Sequence, residues 1–313
     1  MRKPALKLIL LLSFLITCTF ASSGDRQPQF QSCLSNCIQK DCVENPIKLP
    51  LSLRLTLWSC EDNCKYTCQR AITVEAQKIG NKIHQYYGKW PFKRFLGLQE
   101  PASVLFSMWN GYYHLINWKL IDKRVGRENP AYFWLKLYVV IGVWTWVWSS
   151  IFHSRDYIFT ERMDYFSAAL LVLYVLFIPV AYLLRNKSRS AIKLLANLLM
   201  TLYLLHVFYL QFVKFDYSYN MIANALLGVA ANVAWFIVAF KLAKSNYKEY
   251  YVPIVLMICT DLAFSLEAFD FPPILDTFDA HSLWHAATIP ITCYWYRWLI
   301  ETFSKTHQFK KGM

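Results

Sequence analysis

The chain has 313 residues; 56% are hydrophobic, 17% aromatic and only 17% charged. Apolar runs of about 20 residues recur along it, which argues against soluble domains and for an all-α polytopic membrane protein. The formal net charge of +13 does not point to nucleic acid, because the basic residues gather in short loops on one side of the apolar runs.

Met1, Arg2 and Lys3 are followed by an apolar stretch from Leu6 to Phe20 and by small residues at Ala21, Ser22 and Ser23. This order predicts a cleaved secretory signal over residues 1–23. Residues 24–100 then form a small lumenal domain rich in cysteine. Six cysteines, Cys33, Cys37, Cys42, Cys60, Cys64 and Cys68, crowd this segment, and an even set in a translocated region implies disulfides. The i, i+4 spacings put them on helical faces, with Pro46 to Pro50 turning the chain between two arms. An antiparallel helical hairpin would pair Cys33–Cys68, Cys37–Cys64 and Cys42–Cys60. Cys259 and Cys293 lie in apolar runs and are expected as buried thiols. Trp90, Phe92 and Phe95, mixed with Lys89, Lys93 and Arg94, are expected to anchor the chain at a membrane interface.

Seven spans are predicted at about 103–119, 132–152, 163–184, 192–211, 221–240, 250–268 and 281–300, within a bundle over residues 101–301. With a lumenal cysteine domain, the cytosolic loops carry Lys119, Lys123, Arg124, Arg127, Arg185, Lys187, Arg189, Lys193, Lys241, Lys244 and Lys248. The opposite loops carry only Arg155, Arg162 and Lys214, as the positive-inside rule requires. The sequon at Asn186 then faces the cytosol and should be unused. The C-terminal tail, 302–313, is cytosolic and holds Lys310 and Lys311 in a dilysine pattern. Such a tail is read by a retrieval coat and implies residence in the endoplasmic reticulum.

Five polar residues share the lumenal ends of these spans. Ser149 and His153 close the second span, Asp164 opens the third, and His281 and His285 open the seventh. Polar groups in spans are costly and mark interior sites. Two imidazoles at i, i+4 can clasp one metal, and His153 would complete a three-nitrogen zinc site with one position open to water. Asp164 could orient or deprotonate that water, and Ser149 could hydrogen-bond the water or a developing oxyanion. Asp261, deeper in the sixth span, is a candidate partner of a ligand. Asn110, His114, His206, Asn224 and Asn232 are expected to bond between helices.

The pattern Ser149-x3-His153, Asp164, His281-x3-His285 resembles the CREST superfamily of seven-span hydrolases. The longer segments GKWPFKRFLGLQEPASVLFSMWN, WSSIFHSRD, ERMDYFSA, KFDYSYNMIAN and FDFPPILDTFDAHSLWHAATIP resemble the Per1-like family of post-GPI-attachment lipid remodelling factors, over nearly the whole mature chain. The resemblance implies a lumenal hydrolase that removes the sn-2 acyl chain from the phosphatidylinositol of GPI-anchored proteins. It implies zinc on His153, His281 and His285, assisted by Asp164 and Ser149, and admits the Golgi as well as the endoplasmic reticulum membrane. Partners would be GPI-anchored proteins, membrane lipids and the retrieval coat. Competing readings are a ceramidase-like amidase, a non-catalytic escort of anchored proteins and a progestin-type receptor. The cysteine-rich domain argues against the amidase, and the short cytosolic loops offer a receptor little machinery.

Overall fold

The computed structural model describes residues 22–185, 188–245 and 247–311. Most of the expected signal, residues 1–21, lies outside the described residues, as do Asn186 and Lys187 of the sequon. The chain divides into two compact units at Lys93 and Arg94. Among the described residues both are helical, with isolated bridges but no strand.

The first unit is built on two helical arms. Helix α1, Pro28–Cys37, continues into a π-helical turn, Ile38–Glu44. A short helix α2, Leu51–Leu55, precedes the long return helix α3, Cys60–Ile79. The Ser59 side chain caps α3 by accepting from the Asp62 N–H, and Gly80 ends it at φ 71°, a left-handed conformation that costs glycine little. The arms carry nested disulfides, Cys33–Cys68, Cys37–Cys64 and Cys42–Cys60. The outermost closes a separation of 35 residues, worth about 3–4 kcal/mol in the chain-entropy picture. Among the described residues the cluster of Phe30, Cys68 and Tyr86 is small, which accounts for the disulfides, since small domains rarely bury enough apolar surface. Phe92 is buried rather than presented as an anchor, whereas Phe95 is exposed.

The second unit contains α4 (Pro101–Arg124), α5 (Pro130–Ser154), α6 (Ile158–Leu184), α7 (Arg189–Phe208, extended by a π-helical turn Tyr209–Val213), α8 (Tyr217–Lys244), α9 (Val252–Phe264, extended by a 3-10 turn Ser265–Ala268) and α10 (Ala280–Lys311). Pro101 and Pro130 occupy first-turn positions, where their missing N–H costs nothing. Helix α4 packs on α5 and α10, α5 on α6, α6 on α7 and α8, and α9 on α8 and α10. Each expected span falls on one helix. Four elements, α5, α6, α7 with its π turn, and α8, are long and apolar enough to cross a membrane, and α9 is a shorter apolar helix. These are the marks of a multi-pass membrane protein.

Helix α4 is inside-out. Its buried face carries Ser103, Ser107, Asn110, His114 and Asn117, while Leu105, Met108, Trp109, Tyr112 and Leu115 are exposed. Polar groups turned inward lower its hydropathy without making its outer surface polar. Cys259 and Cys293 are exposed rather than buried, because they fall on outward faces of α9 and α10. Helix α10 continues to Lys311, so the backbone of the expected tail is helical through both lysines.

Candidate metal centre

Local sequence sets each histidine before tertiary packing gathers them. Asp279 and Ser282 cap α10 reciprocally: the Ser282 N–H donates to Asp279 Oδ1 at 2.8 Å and the Asp279 N–H to Ser282 Oγ at 3.0 Å. This box places His281 and His285 on consecutive turns of one face. His153 lies in the last turn of α5, where the Glu100 and Gln99 N–H groups donate to the carbonyls of His153 and Ser154, each at 3.0 Å. Glu100 is also the cap residue of α4. Three helix termini are thereby brought to one place.

The rings meet through their Nε2 atoms. His281 Nε2 lies 3.3 Å from His153 Nε2 and 2.9 Å from His285 Nε2. On the far side of its ring, His153 Nδ1 is 2.6 Å from Glu100 Oε2, and both residues are buried. An ionised carboxylate can only accept, so Nδ1 is the donor, and in the neutral ring that tautomer leaves the Nε2 lone pair facing the other two imidazoles. His285 Nδ1 is 2.9 Å from Ser107 Oγ, which is 3.0 Å from Ser149 Oγ. The carbonyl of His285 accepts from Asn110 Nδ2 at 2.9 Å and from Thr288 Oγ1 at 2.8 Å.

This arrangement fits a metal. One N–H on His281 Nε2 could serve only one of its two close nitrogen contacts, whereas a cation at the common point satisfies all three lone pairs. Zinc at about 2.0–2.1 Å from three tetrahedrally placed nitrogens would hold them about 3.3 Å apart. Outer hydrogen bonds to the distal ring nitrogens are what ligating imidazoles need for orientation and tautomer. His153, His281 and His285 form a group whose ligand atoms lie within 4.8 Å of one another.

The remaining expected residues divide. Ser149 is buried and joins the centre through Ser107 rather than directly. Asp164 is half-buried in the second turn of α6, because that helix begins at Ile158, earlier than the predicted span. Its carbonyl accepts from Ser167 Oγ, and the Ser167 carbonyl accepts from Thr145, one turn before Ser149. Asp261 does not support a ligand: Asn232 Nδ2 donates to its two carboxylate oxygens at 3.1 and 3.0 Å, on the exposed side of α8 and α9. Asn110 and His114 bond across helices as expected, His114 Nδ1 lying 2.8 Å from Tyr296 Oη. Glu100 and Ser107 are not foreseen from sequence. A signal for Ser107 existed in the polar stripe Ser103, Ser107, Asn110 and His114, which repeats at helical spacing inside an apolar run. Glu100 lies outside the predicted span and offered none.

The Per1-like family model matches residues 50–303. The "Protein PER1 homolog" of Schizosaccharomyces pombe is 38% identical over 91% of this chain and 88% of its own length. The "Post-GPI attachment to proteins factor 3" of Drosophila melanogaster is 36% identical over 92% of this chain and 91% of its own. The human protein named "GPI-specific phospholipase A2-like PGAP3" is 32% identical over 86% of each chain. No solved structure matches the chain. Three such relatives and a family model covering most of the sequence leave one conclusion: the chain belongs to the Per1-like family.

Proposed function

We propose that this protein is a membrane-embedded acyl-ester hydrolase that remodels GPI anchors by removing the sn-2 acyl chain of their phosphatidylinositol. The observation that carries this reading is the convergence of three imidazoles, two of them buried, with the outer partners Glu100 and Ser107. The names of the relatives supply the substrate class. Zinc held by His153, His281 and His285 would supply a Lewis acid and bring the pKa of water toward neutrality. Glu100 keeps the proton of His153 on Nδ1. Ser107 accepts from His285 Nδ1–H and passes its own hydroxyl hydrogen to Ser149, so both serines are positioning residues. Asp164 takes the proton of the attacking water and delivers it to the departing glycerol oxygen. Burial of His153, His285, Ser107 and Ser149 keeps bulk water from competing with these bonds.

The reading includes seven crossings, with α4 and α10 spanning despite their polar inner faces. The exposed apolar side of α4 supports this, since an inside-out helix is stable only against lipid. Loop charge favours a lumenal N-terminus and a cytosolic C-terminus. Lys310 and Lys311 favour recognition by a retrieval coat and residence in the endoplasmic reticulum, with the Golgi as the other compartment on the route.

The test is the lipid of GPI-anchored proteins, by mass spectrometry, in cells lacking this protein and complemented with wild type or His285→Ala at matched expression. Loss of unsaturated sn-2 chains with wild type alone supports the hydrolase. Equal rescue by both forms would favour a non-catalytic escort. Unchanged anchors with either form would remove the GPI substrate.

A further inference from the structure

Two side chains beside the histidine cluster carry buried polar hydrogens that no described residue accepts. The indole N–H groups of Trp146 on α5 and Trp284 on α10 are buried and have no partner among the described residues. Both rings touch the cluster. Trp146 meets His285 edge-on at 5.2 Å between centroids, while Trp284 is 5.0 Å from His285 and 5.8 Å from His281. The indoles are 6.5 Å from each other. A buried donor without an acceptor costs about 1–3 kcal/mol, and an indole N–H can only donate. Two such donors at one reacting centre mark a place prepared for an acceptor oxygen from outside the protein.

We infer that Trp146 and Trp284 donate to the ester carbonyl oxygen of the lipid and hold the charge that develops on it. The inference rests on the acyl-ester reading above. As the water oxygen bonds to the acyl carbon, the π pair of the carbonyl moves onto its oxygen, where the two N–H groups meet it. That pair then re-forms the carbonyl as the bond from acyl carbon to glycerol oxygen breaks. The glycerol oxygen takes the proton that the water gave up, so ester and water become fatty acid and lysolipid. Preorganised donors aimed at such an oxygen need no rearrangement during reaction. Indoles suit an apolar setting better than lysine or arginine, whose burial among apolar helices is costly.

An internal control exists in Trp235 on α8. Its N–H is equally buried and unpartnered, but its ring packs on Trp295 and Trp298, which begin about 15 Å along α10 from His285.

The experiment compares Trp146→Phe, Trp284→Phe, their combination and Trp235→Phe in the purified full-length, metal-loaded protein in dodecyl maltoside. The substrate is a GPI-anchored reporter with an unsaturated sn-2 chain; fatty-acid release, bound metal and thermal midpoint are read together. Each site variant should lose roughly a hundredfold in kcat, with KM and bound metal unchanged, while Trp235→Phe turns over like wild type. Because phenylalanine removes an unsatisfied donor, the thermal midpoint of the site variants should hold or rise. A second measurement needs only the intact protein: a phosphatidylinositol with an sn-2 ketone should compete about tenfold better than one with an sn-2 ether, which lacks the carbonyl. Wild-type kcat in the double variant, a kcat loss matched by metal loss, or equal competition by ketone and ether would overturn the assignment. An inactive wild type would overturn the acyl-ester reading itself, whereas an active wild type with an unimpaired double variant overturns the donor pair alone.

Discussion

Helix α5 and α7 with its π turn are equally long candidates for crossing a membrane, yet 56% of the apolar stretch of the first is buried and only 6% of that of the second. The difference is one of neighbours. Helix α5 is enclosed by α4 and α6, whereas α7 with its π turn rests mainly on α6. Burial on the α4–α5–α10 side accompanies polarity: Ser107, Asn110, His114, Ser149, His153 and His285 all lie inside it. On the α7 side the exposed face is leucine, at Leu194, Leu198, Leu202 and Leu205. Where water and lipid are both excluded, hydrogen bonds can be arranged with little competition. Buried polar groups therefore concentrate on one side of the helical unit, while the other presents an apolar surface.

Substitutions can break or sharpen that contrast. The largest effect is expected at the centre. His285→Ala should abolish metal retention and lower turnover by more than about a thousandfold, read by metal content and fatty-acid release. Glu100→Gln keeps an oxygen acceptor near His153 Nδ1 but removes its charge. It should weaken metal affinity by about 10–100-fold, measured by competition with a chelator, while the fold persists. Gly142→Ala tests packing one layer deeper, since a Cβ there would run into the His114 imidazole. A loss of about 1–3 kcal/mol is expected, visible as a lower thermal midpoint; an unchanged midpoint would show that α4 and α5 yield easily. The smallest effect belongs to the other side. Leu205→Ala on the exposed face of α7 should stay within about 0.5 kcal/mol and leave turnover unchanged. A loss as large as that of Gly142→Ala would show that α7 packs on something the contrast leaves out.

Much of the site could be read along the chain, for a specific reason. His281 and His285, like Ser149 and His153, are related by helical spacing, and spacing is local. Glu100 could not be read so, because 53 residues separate it from His153 and only the return of α5 brings them together. Ser107 was hidden differently: serine is an ordinary residue in a helix interface, and its role depends on His285, 178 residues away. The misplacement of Asp261 has the same origin. Its place in an apolar run, deeper than the centre, allows a partner role to a ligand, but rotation of α9 turns it to Asn232 on the outward side.

Sequence alone determined the helical segments, the cysteine-rich first unit and the identity of the three imidazoles, because apolar period, caps and i, i+4 spacing act within a few residues. Only tertiary structure decided which faces turn inward, that three Nε2 atoms converge, and that Glu100 and Ser107 hold the rings from behind. Those outcomes depend on how helices distant in sequence rotate and pack, and no local periodicity encodes the partner of a buried polar group.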